Sequence, residues 1–244
     1  MRIAVLSDIH GNLEALNACL EAVSSAADAY LCLGDVVGYG PDPNACCEIL
    51  RSLQCRTVLG NHDKAAVGRA DLTWFNPWAA AAVLWTEEVL SSDNSRWLAE
   101  LPEVIEEAGY VAVHGSLVNH TEEYITDEWS CRPTFDLMTA DICFVGHTHM
   151  PYVFMQGRGR MSVYGRQMSA GGTIHLESTM RYVVNPGAVG QPRDGVWKAS
   201  YALFDTDSRT VDILRVEYPL HITQEKMRKE GLPDLLWRRL EFGR

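Results

Sequence analysis

The chain has 244 residues, 47% of them hydrophobic and 22% charged, which excludes a disordered, collagen-like or small disulfide-stapled protein. Its 21 lysines and arginines face 32 aspartates and glutamates, a net charge of -11. That balance argues against broad nucleic-acid binding, which needs cationic residues to replace counterions. The only lysines are Lys64, Lys198, Lys226 and Lys229, so an anionic ligand must be drawn by something other than a lysine patch.

The first 60 residues alternate strand and helix. Ile3–Leu6 reads as a short buried strand, and Leu13, Leu16, Leu20 and Val23 recur at helical spacing, predicting a helix over 12–24. Ala29–Leu33 is a second strand, Asn44–Leu53 a helix and Arg56–Leu59 a third strand. This rhythm implies parallel pairing in a layered α/β fold. Pro77 opens an Ala-rich helix through Leu90, and Ser95–Leu101 predicts another. Strands follow at Tyr110–Val113 and Ile142–Val145. The chain then turns β-rich, with strands at Tyr152–Met155, Met161–Tyr164, Tyr182–Val184, Tyr201–Asp205 and Val211–Val216, and a hairpin turn at Gly171-Gly172. Residues 221–242 read as a helical tail. No repeat or linker interrupts the chain, so one domain over 1–244 is expected.

Seven cysteines form no C-x-x-C pair, which suits a reducing cytosol rather than a disulfide framework. No run of about 18 apolar residues is present to span a bilayer. The N-terminal apolar stretch is four residues long and is not a signal peptide. The expected location is cytoplasmic, with no membrane partner; a homo-oligomer is left open.

Five short apolar runs end in metal-binding residue types: Asp8-Ile9-His10, Gly34-Asp35, Gly60-Asn61-His62-Asp63, Val113-His114-Gly115 and Gly146-His147-Thr148-His149. Parallel strands bring their C-terminal ends to one sheet edge, where α/β ligand sites sit. In an extended segment residues i and i+2 point the same way, so Asp8 with His10, and His147 with His149, would each aim two ligands at one point. A lone strand-end histidine is more often structural and a lone aspartate more often a helix cap. Five such segments in one chain favour a dinuclear metal site. The mixed carboxylate, imidazole and amide donors suit manganese, iron or zinc better than calcium or magnesium.

In this order the five segments resemble the calcineurin-like metallophosphoesterases, whose pattern runs D-x-H, G-D, G-N-H-D/E, H and G-H-x-H. The resemblance extends from Arg2 to about Asp205. The stretch Asn185-Pro186-Gly187-Ala188-Val189-Gly190-Gln191-Pro192-Arg193 is similar to the closing segment of a small bacterial and archaeal phosphodiesterase-like branch, with Ala188 where serine is common. The resemblance implies an α/β fold, an αββα sandwich of two mixed sheets flanked by helices. It also implies two divalent metal ions, manganese first, with iron or zinc as alternatives. One would be held by Asp8, His10, Asp35 and His149, the other by Asp35, Asn61, His114 and His147.

In that family the histidine beside the ligand asparagine, here His62, acts on the transition state or leaving group. Asp63 either orients that ring or caps a helix. A metal-bridging hydroxide would attack phosphorus in line. Two divalent cations outweigh Asp8, Asp35 and that hydroxide, leaving the positive surplus that draws a small phosphate ester without a basic patch. Arg193 is a candidate phosphate contact, since a guanidinium fork matches phosphate oxygens. Tyr39 is a candidate pocket residue. A surface ion pair for Arg193 and a packing role for Tyr39 weigh equally. His120, His175 and His221 fall outside the motifs.

The expected activity is hydrolysis of phosphoric esters, a phosphodiesterase first. A phosphomonoesterase, a dinucleoside polyphosphate hydrolase and a non-catalytic scaffold are the alternatives. Nucleotide P-loop, zinc-protease, cysteine-phosphatase and dinucleotide-binding motifs are missing from the sequence.

Overall fold

Alternate residues of the first strand bury in two different cores. In the computed structural model, which describes residues 1–244, Ile3 and Val5 of β1 (Arg2–Leu6) join one apolar cluster, and Ala4 and Leu6 join another. A strand covered on both faces has no polar side to show, which is why its sequence is a continuous apolar run. The next strands are β2 (Ala29–Cys32), the two-residue β3 (Arg56–Thr57), β4 (Val104–Glu107), β5 (Tyr110–Val113) and β6 (Ile142–Phe144). The β-rich second half supplies β7 (Pro151–Gly157), β8 (Val163–Gln167), β9 (Gly172–His175), β10 (Met180–Pro186), β11 (Ala199–Asp205) and β12 (Thr210–Val216).

Two six-stranded mixed sheets result, in the orders β3-β2-β1-β11-β12-β9 and β4-β5-β6-β10-β7-β8. Strands β1, β2 and β3 pair in parallel, as do β5, β6 and β10. The sheets pack through Ile3, Val5, Leu31 and Phe204 on one side and Ala112, Phe144, Val153 and Val184 on the other. Helices α1 (Leu13–Val23) and α2 (Pro43–Ser52) belong to the outer layer of the first sheet, where Leu16, Cys19 and Leu50 meet Ala4 and Leu6. Then follow α3 (Asn61–Ala66), α4 (Pro77–Val89), α5 (Ser92–Ala99) and α6 (Glu128–Leu137), the last covering the second sheet through Cys131 and Phe135. The fold is the αββα sandwich of two mixed sheets.

Several elements depart from the sequence expectation: β4, β9 and α3 are not in it, and Gly171-Gly172 leads from β8 to β9, which lie in different sheets, instead of turning a hairpin. Helix α6 carries Pro133 in its interior, a residue that removes a backbone donor. It is started by Asp127, whose side chain accepts from Ser130 N at 2.8 Å. The tail is not one helix: α7 (Leu220–Lys229) stops at Gly231, with φ +71°, and Pro233, before α8 (Asp234–Arg238) and a 3-10 turn over Arg239–Phe242. Helix α5 starts at Ser92, three residues before the predicted start, because Ser91 caps it through Asn94 N at 3.3 Å. No helix is long and apolar enough to cross a membrane.

Candidate metal centre

Asp8 and His10 lie just past β1, and Asp35 past β2. Asn61 opens α3 after β3, while His114 follows β5 and His147 and His149 follow β6. All are therefore at the C-terminal ends of parallel strands, and all are buried.

The local backbone is not extended there. Asp8, His10, Asp35, His147 and His149 have φ of +51°, +50°, +53°, +66° and +60°. The i, i+2 alternation expected from an extended segment is thus corrected: left-handed turns aim these side chains, and the twist is opposed by the Cβ of each. Gly60 is required by close approach, since a Cβ there would overlap Asp35 Oδ1. Asn185 ties the third loop, donating to Gly146 O at 2.6 Å and Thr148 Oγ1 at 3.0 Å.

The donors fall into two groups that share one carboxylate. Ligand atoms of Asp8, His10, Asp35 and His149 lie within 4.8 Å of one another, as do those of Asp35, His114 and His147. Asp35 Oδ2 is 3.6 Å from His10 Nε2 and 3.4 Å from His114 Nε2. Its Oδ1 accepts from His62 N at 2.9 Å. Asn61 Oδ1 stands 3.1 Å from His114 Nε2, adding an amide oxygen to the second group.

Each histidine has its outer nitrogen on a backbone carbonyl. His10 Nδ1 meets Val37 O at 3.0 Å, His114 Nδ1 Leu33 O at 2.7 Å, His149 Nδ1 Gln191 O at 2.6 Å and His147 Nε2 Glu122 O at 3.2 Å. A carbonyl can only accept, so each outer nitrogen donates and the other ring nitrogen faces inward. These inner nitrogens then face one another, His10 with His149 and His114 with His147, each pair 3.1 Å apart. Asp8 Oδ1 and Asp35 Oδ2 point into the same space without a hydrogen-bond partner. Carboxylate oxygens and imidazole nitrogens that converge on one space fit divalent cations.

The titration of the groups follows the same crowding. Burial holds His10 and His149 well below the ordinary imidazole range, and lowers His147 to about 3 and His62 to about 4. Burial also raises Asp8 to about 7. Burial would raise Asp35 too, but the neighbouring His114 and His62 outweigh it and hold the carboxyl well below its usual value. For His114, burial is outweighed by the Asp35 charge, which raises the imidazole to about 9.

His62 is buried, its ring 4.9 Å from His10, 4.5 Å from Tyr39 and 5.0 Å from Phe75, and its Nδ1 has no partner. Asp63 does not bond to that ring. Its Oδ1 accepts from Val37 N at 3.0 Å and its Oδ2 from Gly60 N at 3.1 Å, so the carboxylate spans two ligand-bearing loops and caps α3. Arg193 is not in a surface ion pair. It reaches Gln191 Oε1 at 2.9 Å and the Tyr39 hydroxyl at 3.5 Å. Tyr39 stands 4.7 Å from His10, ring to ring.

A cavity of about 590 Å³ opens beside Asn61, His62 and His147, walled by Tyr39, Trp74, Phe75 and Tyr124. Sequence reasoning missed Tyr124, which stacks on His147 at 3.8 Å, and Arg239, whose guanidinium lies 4.9 Å from the Tyr39 ring. Neither residue sits in a motif. His120, His175 and His221 stand apart from both donor groups.

A buried cage of histidines and aspartates at the strand ends of a two-sheet α/β sandwich defines a metal-binding phosphoester hydrolase. Residues 1–209 match the model of the calcineurin-like phosphoesterase superfamily domain, and the chain belongs to that family. It is 42% identical over 248 residues to an uncharacterized protein of Methanocaldococcus jannaschii, covering 99% of this chain and 98% of that one. The crystal structure of a metallophosphoesterase from Sphaerobacter thermophilus superposes with a TM-score of 0.89 at 40% identity, covering 100% of this chain and 99% of the other. A hypothetical protein from Pyrococcus horikoshii OT3 shares the fold, with a TM-score of 0.81 at 22% identity and coverage of 100% and 98%.

Proposed function

We propose that the chain is a two-metal phosphodiesterase that acts on a small phosphate ester. The observation that carries this reading is the position of Asp35 Oδ2, unpartnered and facing His10 and His114 at 3.6 and 3.4 Å. One carboxylate oxygen between two donor groups is the arrangement of a bridging ligand. Asp8, His10 and His149 complete one metal site with Asp35. Asn61, His114 and His147 complete the other. Oxygen and nitrogen donors without thiolate favour manganese, with iron or zinc as alternatives. Bound there, divalent ions supply Lewis acidity, activating water at neutral pH and balancing phosphate charge.

The chain's own groups do the remaining work. His62 stands at the cavity wall, kept neutral by burial, and its ring N–H stabilises the charge that develops on the transition state or the leaving oxygen. Asp63 fixes the loops of Val37 and Gly60, and through them His62 and Asp35. Arg193 and Tyr39 border the substrate. The aromatic walls of the cavity receive an apolar or planar leaving group. Seven unpaired cysteines support a reducing, cytoplasmic setting.

The test pairs metal analysis with turnover. Manganese-loaded protein should hold two equivalents of metal and cleave bis(p-nitrophenyl) phosphate faster than p-nitrophenyl phosphate. Asp35→Asn should lose metal and nearly all activity. Full occupancy and normal turnover in Asp35→Asn would remove the bridge. Monoester turnover with no diester turnover would overturn the substrate assignment alone.

A further inference from the structure

Arg193 and Arg239 converge where no carboxylate waits for them. Arg239 Nη2 donates to Gln191 Oε1 at 2.6 Å, and Arg193 Nη2 donates to the same oxygen at 2.9 Å. Their guanidinium carbons lie 4.9 and 5.7 Å from the Tyr39 ring centre. Each arginine keeps a buried Nε without a partner, and Gln191 Nε2 is unpartnered as well. Elsewhere in the chain Arg215, also largely buried, is paired with Asp194. Arg193 and Arg239 share one neutral amide oxygen instead. Two like charges held together in partial burial repel each other, and a bound anion offsets that repulsion.

The pair is coupled to the metal centre through single residues. Gln191 accepts both arginines on its side chain and His149 Nδ1 on its backbone oxygen, at 2.6 Å. Tyr39 contacts both guanidiniums and the rings of His10 and His62. Arg239 reaches this place because the tail folds back: Thr223 bonds Asn12 at 3.0 Å, Lys226 pairs with Asp42 at 2.9 Å, and Leu236 and Leu240 pack with Tyr39 and Ala82. Arg239 lies beyond residues 1–209, the part that matches the family model.

We propose that Arg193 and Arg239 form an anion subsite that binds a second phosphoryl group of the substrate, so that the C-terminal tail sets substrate choice. The inference rests on the phosphodiesterase reading and names the substrate class: a phosphodiester bearing a further phosphate. Guanidinium forks suit such a group because each offers parallel N–H donors to phosphate oxygens.

Two esters with the same reacting group decide it: the p-nitrophenyl ester of thymidine 5′-phosphate, with and without a 3′-phosphate. With manganese-loaded protein, the 3′-phosphorylated ester should show at least about tenfold higher kcat/KM, mostly through KM. Arg239→Ala should bring the ratio of the two esters near unity, Arg239→Lys should retain part of it, and free guanidinium should partly rescue Arg239→Ala. An unchanged ratio in Arg239→Ala, or a wild-type protein that does not distinguish the esters, would overturn the subsite. Should neither ester be cleaved, the diesterase reading fails by itself. Calorimetric binding of thymidine 3′,5′-bisphosphate to manganese-loaded wild type and Arg239→Ala then decides: a tenfold loss supports the subsite, and equal or undetectable binding by wild type rejects it. If Arg239→Ala unfolds, Arg239→Lys and Arg193→Lys carry the same comparison.

Discussion

His62 is the only imidazole of the cage whose ring makes no bond to a backbone carbonyl. The other four spend one nitrogen on Val37, Leu33, Glu122 or Gln191 and turn the other inward. That difference underlies the proposed division between the four ligand imidazoles and His62, which acts on the transition state instead. His62→Ala should therefore keep both metals and lose on the order of 10²–10⁴-fold in kcat. Metal analysis beside steady-state kinetics checks this, and loss of a metal would make His62 a ligand. Asp63 teaches the complementary lesson. Its neighbour in sequence suggests an orienting carboxylate, but both oxygens are taken by backbone N–H groups of two loops.

At the scale of elements, Asn12 joins three segments remote in sequence. It caps α1 through Ala15 N at 3.1 Å, donates to Gly190 O at 2.9 Å and receives the Thr223 hydroxyl at 3.0 Å. Asn12→Ala removes the cap and strands a buried carbonyl, costing about 2 kcal/mol. For a chain of this size that is a fall of roughly 4–8 °C in Tm by calorimetry. The proposed substrate contacts of Arg193 should weaken in parallel, because Gly190 and Gln191 lie three and two residues before it. The strands that lead to the candidate ligands are legible in sequence because each is a short apolar run closed by Gly, Asp or His. Helix α6 is not, since Pro133 argues against a helix and only the Asp127 cap argues for one. β4 is a four-residue edge strand that folds back onto β5 across Ala108-Gly109, whereas β9 is a four-residue edge strand whose pairing is decided by β12, far along the chain. Arg239 is illegible for the same reason: its place is set by the packing of α7 and α8, not by any motif.

Across the whole molecule, the sheets bury their sulfur. Cys19, Cys32, Cys46, Cys47, Cys131 and Cys143 are buried, and only Cys55 has intermediate exposure. Burial raises every one of these thiols, Cys55 to about 12, so none is a thiolate near neutrality. At pH 8 a colorimetric thiol reagent should react quickly with less than about one cysteine per native chain. All seven should react in guanidinium chloride. Rapid native reaction of several thiols would mean that the sandwich opens far more readily than its packing implies.

The left-handed turns at the metal centre set stability against selection. Five side-chain-bearing residues hold a conformation that glycine would adopt freely, each at a cost of about 1–2 kcal/mol. Glycine would relieve the strain at these positions, but aspartate and histidine offer oxygen and nitrogen donors that glycine lacks. In chelator-treated protein, His147→Gly should therefore melt above His147→Ala, by roughly 2–4 °C for each kcal/mol of relieved strain. The order is the reverse of that at an ordinary loop position, where alanine is favoured. Equal melting of the two would show that the turn is not strained. Drift among copies of this gene freed from their catalytic duty should run the same way, toward glycine, with a sturdier fold and no chemistry.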